Sequence, residues 1–128
     1  MKNIIISMQT VLLSEAIAKA FAQTGEFRAQ QILPGRVRDT LSLCCAMQAD
    51  VLLMEVGCLD AYTLEHRLEL IDAVRQKMPA CRFVLLCDEN SDAALARRVK
   101  LARQDHKIDA FFYTSVTPDY LTAAVDAL

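Results

Sequence analysis

Glycine is scarce in this chain, with three residues among 128, and no glycine-rich loop follows the first apolar run. Nucleotide sites of the Rossmann kind need such a loop, because glycine lets the backbone approach a phosphate closely. A flavodoxin-like FMN site would need a hydroxyl-rich loop instead, but Ser7, Thr10 and Ser14 are too few and are separated by Met8, Val11 and Leu12. The sequence therefore predicts no bound nucleotide or flavin cofactor.

Long apolar runs and an excess of basic residues are also missing. No run reaches the roughly 18 apolar residues that a membrane helix needs, and the apolar start of the chain is too short for a signal peptide. The net charge is −2 and the pI is near 5.6, whereas nucleic-acid-binding domains usually have a basic face. We expect this domain itself to contact neither membrane nor nucleic acid.

Sequence motifs typical of metal sites or of disulfide scaffolds are absent as well. The chain has five cysteines but no Cys-x-x-Cys, and His66 and His106 lie apart from any cysteine pair. An odd number of cysteines in a chain with a good core fits a reducing cytoplasm better than a disulfide scaffold. We expect the cysteines to be small buried hydrophobes, and we predict no metal site.

Hydrophobic residues are plentiful, at 54% of the chain, which is enough for one domain core. Five short apolar runs predict strands at Ile4–Ser7, Phe27–Leu33, Val51–Val56, Arg82–Cys87 and Ala110–Tyr113. The third and fourth runs are continuous rather than alternating, which is typical of strands buried on both faces of a parallel sheet.

Helical spacing of apolar residues fills the segments between these runs. The predicted helices are Val11–Phe21, Val37–Met47, Leu64–Met78, Leu95–Ala102 and Tyr120–Leu128. The apolar face predicted for the first helix consists of Leu12, Leu13, Ala16, Ile17 and Ala20. Asn90-Ser91-Asp92 and Thr117-Pro118-Asp119 have the residues that begin helices. The strand–helix order, repeated five times, predicts one three-layer α/β domain over residues 1–128 with a doubly wound parallel sheet.

In open α/β sheets, ligands bind beyond the carboxyl ends of the strands. The predicted site therefore consists of the residues that follow strands one, three, four and five. These are Ser7–Thr10, Glu55–Cys58, Cys87–Glu89 and Thr114–Ser115.

Three segments, 49–56, 81–87 and 108–121, resemble the receiver domains of response regulators, which are CheY-like and flavodoxin-like in fold. The resemblance covers essentially the whole chain and implies the strand order 2-1-3-4-5. It places Glu55 at the phosphoacceptor aspartate and Phe111 at the switch aromatic. It also places Met8 and Gln9 at the acidic pair, Cys87 at the Ser/Thr position and Thr114 at the lysine.

These replacements predict that the chemistry of a phosphorelay receiver is lost. Mg²⁺ prefers oxygen ligands, normally including carboxylates, and Met8 offers a thioether that it does not favour. Thr114 lacks the positive charge that stabilises a transferring phosphoryl group. We therefore expect a degenerate pocket without catalytic residues, metal or cofactor.

The predicted function is that of an atypical receiver that acts in signal transduction or transcription regulation by protein–protein contact, without aspartyl phosphorylation. Two alternatives stay open. Glu55 could be phosphorylated or mimic a phosphoaspartate, or the chain could be a small redox or ligand-binding protein that uses Cys58 or Cys87. The other interpretation of Glu55 is a partly solvated acid at the end of a strand.

Basic residues crowd the predicted fourth helix, at Arg97, Arg98, Lys100 and Arg103. They could form a solvated basic face, or a docking surface together with Tyr113 and Tyr120, because tyrosine is enriched at interfaces. The resemblance implies that the fourth helix, fifth strand and fifth helix contact a second copy or a protein partner. It also implies a DNA-binding effector domain, either fused to this chain or in a partner.

Overall fold

A computed structural model describes residues 1–88, 90 and 92–128 of the chain. The predicted contributions of Glu89 to the site and of Ser91 to a helix start lie outside the described residues. The strands are β1 (Lys2–Ser7), β2 (Phe27–Ile32), β3 (Val51–Glu55), β4 (Arg82–Cys87) and β5 (Ala110–Tyr113). The helices are α1 (Val11–Gln23), α2 (Thr40–Met47), α3 (Leu64–Lys77), α4 (Ala93–Gln104) and α5 (Pro118–Asp126). Two short 3-10 helices, Pro34–Asp39 and Asp60–Tyr62, precede α2 and α3.

The five strands form one parallel sheet in the order β2-β1-β3-β4-β5. This confirms the predicted fold class and strand order. Because every strand runs in the same direction, all five carboxyl ends lie along one edge of the sheet.

The sheet separates two apolar cores, since successive side chains of a strand point to opposite faces. One core contains Ile5, Leu52 and Phe83 of the strands and receives buried residues of α2, α3 and α4. The other contains Ile4 and Ile6 and receives buried residues of α1 and α5. The continuous apolar runs of β3 and β4 arise because both of their faces are covered.

Two of the predicted helix starts are confirmed by their capping bonds. The Asp92 carboxylate accepts from the Leu95 N–H at 3.0 Å, and the Thr117 hydroxyl accepts from the Tyr120 N–H at 3.2 Å. Each side chain satisfies a backbone donor that has no partner within the first turn of its helix.

The predicted face of the first helix is wrong in part. Helix α1 buries Ser14, Ile17, Ala18 and Phe21, whereas Leu12 is 79% exposed. The sequence prediction weighted hydrophobicity alone, but Ser14 can be buried because its hydroxyl donates to Gln31 Oε1 at 3.0 Å.

The predicted bounds of two other helices also need correction. Val37 lies in a 3-10 helix, so α2 begins only at Thr40. Helix α5 ends at Asp126, before the predicted end at Leu128, and Leu128 is exposed. In the described part of the chain, no helix combines the length and apolar character required to cross a membrane.

Candidate functional site at the carboxyl end of the sheet

The strand pairing brings the predicted site residues together. The last paired residues are Ser7 with Met54 and Cys87 with Tyr113, and Glu55 pairs with Leu86 between them. The site positions that follow β1 and β5, and those that end β3 and β4, therefore share one edge of the sheet. Their location was predictable, but their contacts were not.

Glu55 uses its carboxylate to hold the start of α1. Its side chain is half-buried, and one oxygen accepts from the Thr10 N–H at 2.9 Å while the other accepts from the Thr10 hydroxyl at 3.0 Å. Thr10 is the N-cap residue of α1 and makes no capping bond with its own side chain. Glu55 thus provides the acceptor for an N-terminal amide of α1, where the helix dipole favours negative charge.

The two residues at the acidic-pair positions have separate surroundings. Met8 is 1% exposed and lies in the core between the sheet and helices α1 and α5. Gln9 is half-buried, and a Cβ built on Gly57 would lie 3.0 Å from its Oε1. The loops that follow β1 and β3 are therefore in close contact through the Gln9 side chain.

Thr114 and Cys87 lie on the other side of Glu55. The Thr114 N–H donates to the Cys87 carbonyl at 3.0 Å, which continues the β4–β5 pairing by one residue. Cys87 is fully buried, and Phe111 is half-buried against the core on the α4 side. The chemistry available from these side chains is a buried thiol, a neutral hydroxyl and an aromatic ring, without a lysine.

The residue that the sequence analysis missed is Arg67 of α3, which is fully buried beneath this edge. Its Nε donates to the Glu55 carbonyl at 3.0 Å. One terminal nitrogen donates to the Ser7 hydroxyl at 3.0 Å and the other to the Ser7 carbonyl at 2.9 Å. Its guanidinium carbon lies 4.8 Å from the centre of the Tyr62 ring, which is a cation–π contact.

Burial shifts the pKa values of both Arg67 and Tyr62. It lowers the pKa of Arg67 to about 10, while the charges of Tyr62 and Glu55 act in the opposite direction. Burial also raises the pKa of Tyr62, while the charge of Arg67 acts in the opposite direction. At neutral pH the site therefore contains a protonated guanidinium and a neutral phenol.

A signal for Arg67 was present in the sequence. The buried residues of α3 are Leu64, Arg67, Ile71 and Val74, a spacing that marks one face of a helix. Leu68, which hydrophobicity alone would place on that face, is only half-buried. An arginine at the core spacing of a helix is the pattern that should have indicated a buried charge.

The cysteines follow the prediction only in part. Cys44, Cys81 and Cys87 are buried and Cys45 is half-buried, but Cys58 is exposed, so the expectation that all five are buried is wrong. Burial is the largest cause that raises the pKa of Cys44 and of Cys81 to about 12. Within the described residues, no group of three or more His, Cys, Asp or Glu side chains could hold a metal ion.

The predicted docking residues lie in different settings. Arg97 is exposed, but Arg98 forms an ion pair with Glu65 at the start of α3. Tyr113 is half-buried with its ring 5.8 Å from that of Phe111. Tyr120 is 63% exposed.

Comparison with solved structures supports the fold, but comparison of sequences assigns the chain to no family. No protein-family model matches the chain, and no curated protein matches it significantly. Solved structures do match. A LuxR-family DNA-binding response regulator from Staphylococcus aureus is 13% identical with a TM-score of 0.76, and the match covers 99% of this chain and 98% of that one.

Two further structures agree. The signal receiver domain of the response regulator NarL from Mycobacterium tuberculosis is 16% identical with a TM-score of 0.73, over 98% of this chain and 94% of that one. A member of a family of streptococcal redox sensors evolved from two-component response regulators is 16% identical with a TM-score of 0.77. That match covers 99% of this chain but 50% of the sensor. The chain has the receiver (CheY-like) fold of the response regulators.

Proposed function

We propose that this domain is an atypical receiver that acts in cytoplasmic signal transduction or transcription control by protein–protein contact, without phosphorylation and without catalysing a reaction. The observation that carries the proposal is the engagement of Glu55. Both of its carboxylate oxygens accept from Thr10, so the acid at the phosphoacceptor position serves as an anchor for α1. Its neighbours Met8, Gln9 and Thr114 do not supply the carboxylates and the cation that phosphoryl transfer requires.

Incubation with acetyl phosphate and Mg²⁺, followed by intact mass measurement, tests this proposal. We expect no added phosphoryl group, while a phosphorylatable receiver in the same mixture gains one. A Glu55→Asp variant is the matched control for side-chain length, and we expect it to stay unmodified because the other replacements persist. A phosphoryl adduct that maps to Glu55 in the unaltered protein would favour the regulator that uses Glu55 as its acceptor.

The contact surface that we propose is the α4–β5–α5 face, defined by Arg97, Lys100, Tyr113 and Tyr120. Strand β5 is an edge strand whose four residues are all half-buried, so one side of its backbone is available for association. Arg98 is not included, because its ion pair with Glu65 directs it towards α3. Successive helix residues are rotated by about 100°, so Lys100 lies on the opposite flank of α4, towards β5.

Oligomeric state in solution tests this surface. We propose that the face binds a second copy or a protein partner, and Tyr120→Glu should weaken that association by placing a charge on the face. Leu33→Glu is the matched control, since Leu33 is 54% exposed and follows β2 at the opposite edge of the sheet. A dimer that is unaffected by Tyr120→Glu would contradict the proposed face. If the unaltered protein is a monomer, the face does not bind a second copy, and the proposal is restricted to a different protein as the partner.

A further inference from the structure

The most unusual feature of this site is a charged side chain that is fully buried. Arg67 is 0% exposed, and burying a guanidinium is costly unless its donors and its charge are compensated. None of the ion pairs found among the described residues involves Arg67. Its charge is met instead by two backbone carbonyls, a hydroxyl and an aromatic ring.

The three acceptors of Arg67 lie at the point where the sheet ends. Ser7 and Met54 are the last pair between β1 and β3, and Glu55 is the next residue along β3. The Ser7 and Glu55 carbonyls are therefore at the end of the backbone ladder between these strands. The planar guanidinium continues that ladder, because its fork of donors can reach both carbonyls at once.

The loop after β3 covers this arrangement. Tyr62 is 7% exposed and stacks on the guanidinium, and its carbonyl accepts from the Gly57 N–H at 2.8 Å. Glu55 is consequently held at two points. Its carbonyl accepts from Arg67, and its carboxylate accepts from Thr10 at the start of α1.

We propose that Arg67 is a resident cation that ties β1, β3 and α3 together and keeps the two site loops in one closed arrangement without a divalent ion. The two loops are residues 8–10 and 56–63. A switch needs two states that a ligand stabilises differently. Here both carboxylate oxygens of Glu55, which an ion at this site would need, already accept hydrogen bonds from Thr10. This inference concerns the state of the site, and it holds whichever partner the domain binds.

Amide hydrogen exchange measures how often the two site loops open. The Thr10 amide donates to Glu55 and the Gly57 amide donates to Tyr62, so both report closure of the loops. In Arg67→Met, which has no donors, we expect these two amides to exchange roughly tenfold faster or more, because local opening becomes easier. Arg67→Lys should give a similar increase, since one ammonium cannot bridge the three acceptors.

Ser7→Ala is the milder variant, in case Arg67→Met does not fold. It removes only the hydroxyl acceptor of Arg67, and we expect faster exchange at the same two amides. Arg75→Met is the matched control on the same helix. Arg75 stacks on Phe83 and donates to the Lys107 carbonyl. Its loss should therefore leave the exchange rates of the Thr10 and Gly57 amides unchanged.

Titration with MgCl₂ completes the test. In the unaltered protein we expect Mg²⁺ to leave the exchange rates of both amides unchanged. The proposal is overturned if Mg²⁺ slows exchange at Thr10 and Gly57, because an ion would then supply the closure. It is equally overturned if Ser7→Ala leaves both amides at their original rates. Neither result bears on whether the α4–β5–α5 face binds a partner, so the two proposals fail separately.

Discussion

Replacement of Glu55 by alanine is the most informative change at this site. It removes the acceptors of the Thr10 N–H and of the Thr10 hydroxyl. Loss of a helix-capping acceptor costs about 1 kcal/mol. The solvent-accessible bond from the Thr10 hydroxyl to the carboxylate contributes about 0.5–1 kcal/mol more. Because the carboxylate is only half-buried, we expect a total loss of roughly 1–2 kcal/mol in the free energy of unfolding.

Urea denaturation measures this loss. With a slope of roughly 2 kcal/mol per molar urea, the midpoint should fall by about 0.5–1 M. Glu69→Ala is the control, since Glu69 is an exposed carboxylate on α3, and surface changes of this kind usually stay within about 0.5 kcal/mol. If Glu55 were a solvated relic of the strand end, its replacement would be as mild as that of Glu69.

A double-mutant cycle isolates the contact itself. Thr10→Val removes the hydroxyl but keeps the backbone N–H, so the cycle with Glu55→Ala reports the bond between the two side chains. We expect a coupling of about 0.5–1 kcal/mol. A coupling near zero, together with a neutral Glu55→Ala, would refute the conclusion that this acid anchors α1.

Three further predictions concern other parts of the fold. Thr117→Ala should lower the free energy of unfolding by about 1 kcal/mol, because the Tyr120 N–H loses its cap; thermal denaturation measures this, and a neutral result would contradict the capping role. Phe21→Ala should cost about 3–5 kcal/mol, since the ring is fully buried and packs edge-on at 4.8 Å from Phe27; a loss below about 1 kcal/mol in urea denaturation would show that the core tolerates the cavity. Brief iodoacetamide treatment of the native protein should label Cys58, the exposed thiol, well before the buried thiols. Rapid labelling of Cys87, detected by peptide mass mapping, would instead favour the redox alternative.

Local patterns in the sequence were sufficient for the architecture. Continuous apolar runs predicted β3 and β4 because a strand covered on both faces has no polar side to display. Asp92 and Thr117 could be recognised as helix starts because a capping bond needs only residues within one turn. The strand–helix alternation predicted the parallel sheet, and the resemblance to receivers supplied its order. The edge at which Met8, Glu55 and Thr114 meet followed from the same topology.

The contacts within the site depended on tertiary structure. Thr10 and Glu55 are 45 residues apart, and Ser7 and Arg67 are 60 apart, so no local pattern links them. The face of α1 was misassigned because the burial of Ser14 depends on Gln31 in a different element. The sequence by itself determined which elements form and in what order, because those choices depend on near neighbours. Only the packed structure decided that Glu55 holds α1 and that Arg67 is buried as a cation, because both depend on partners that folding brings together.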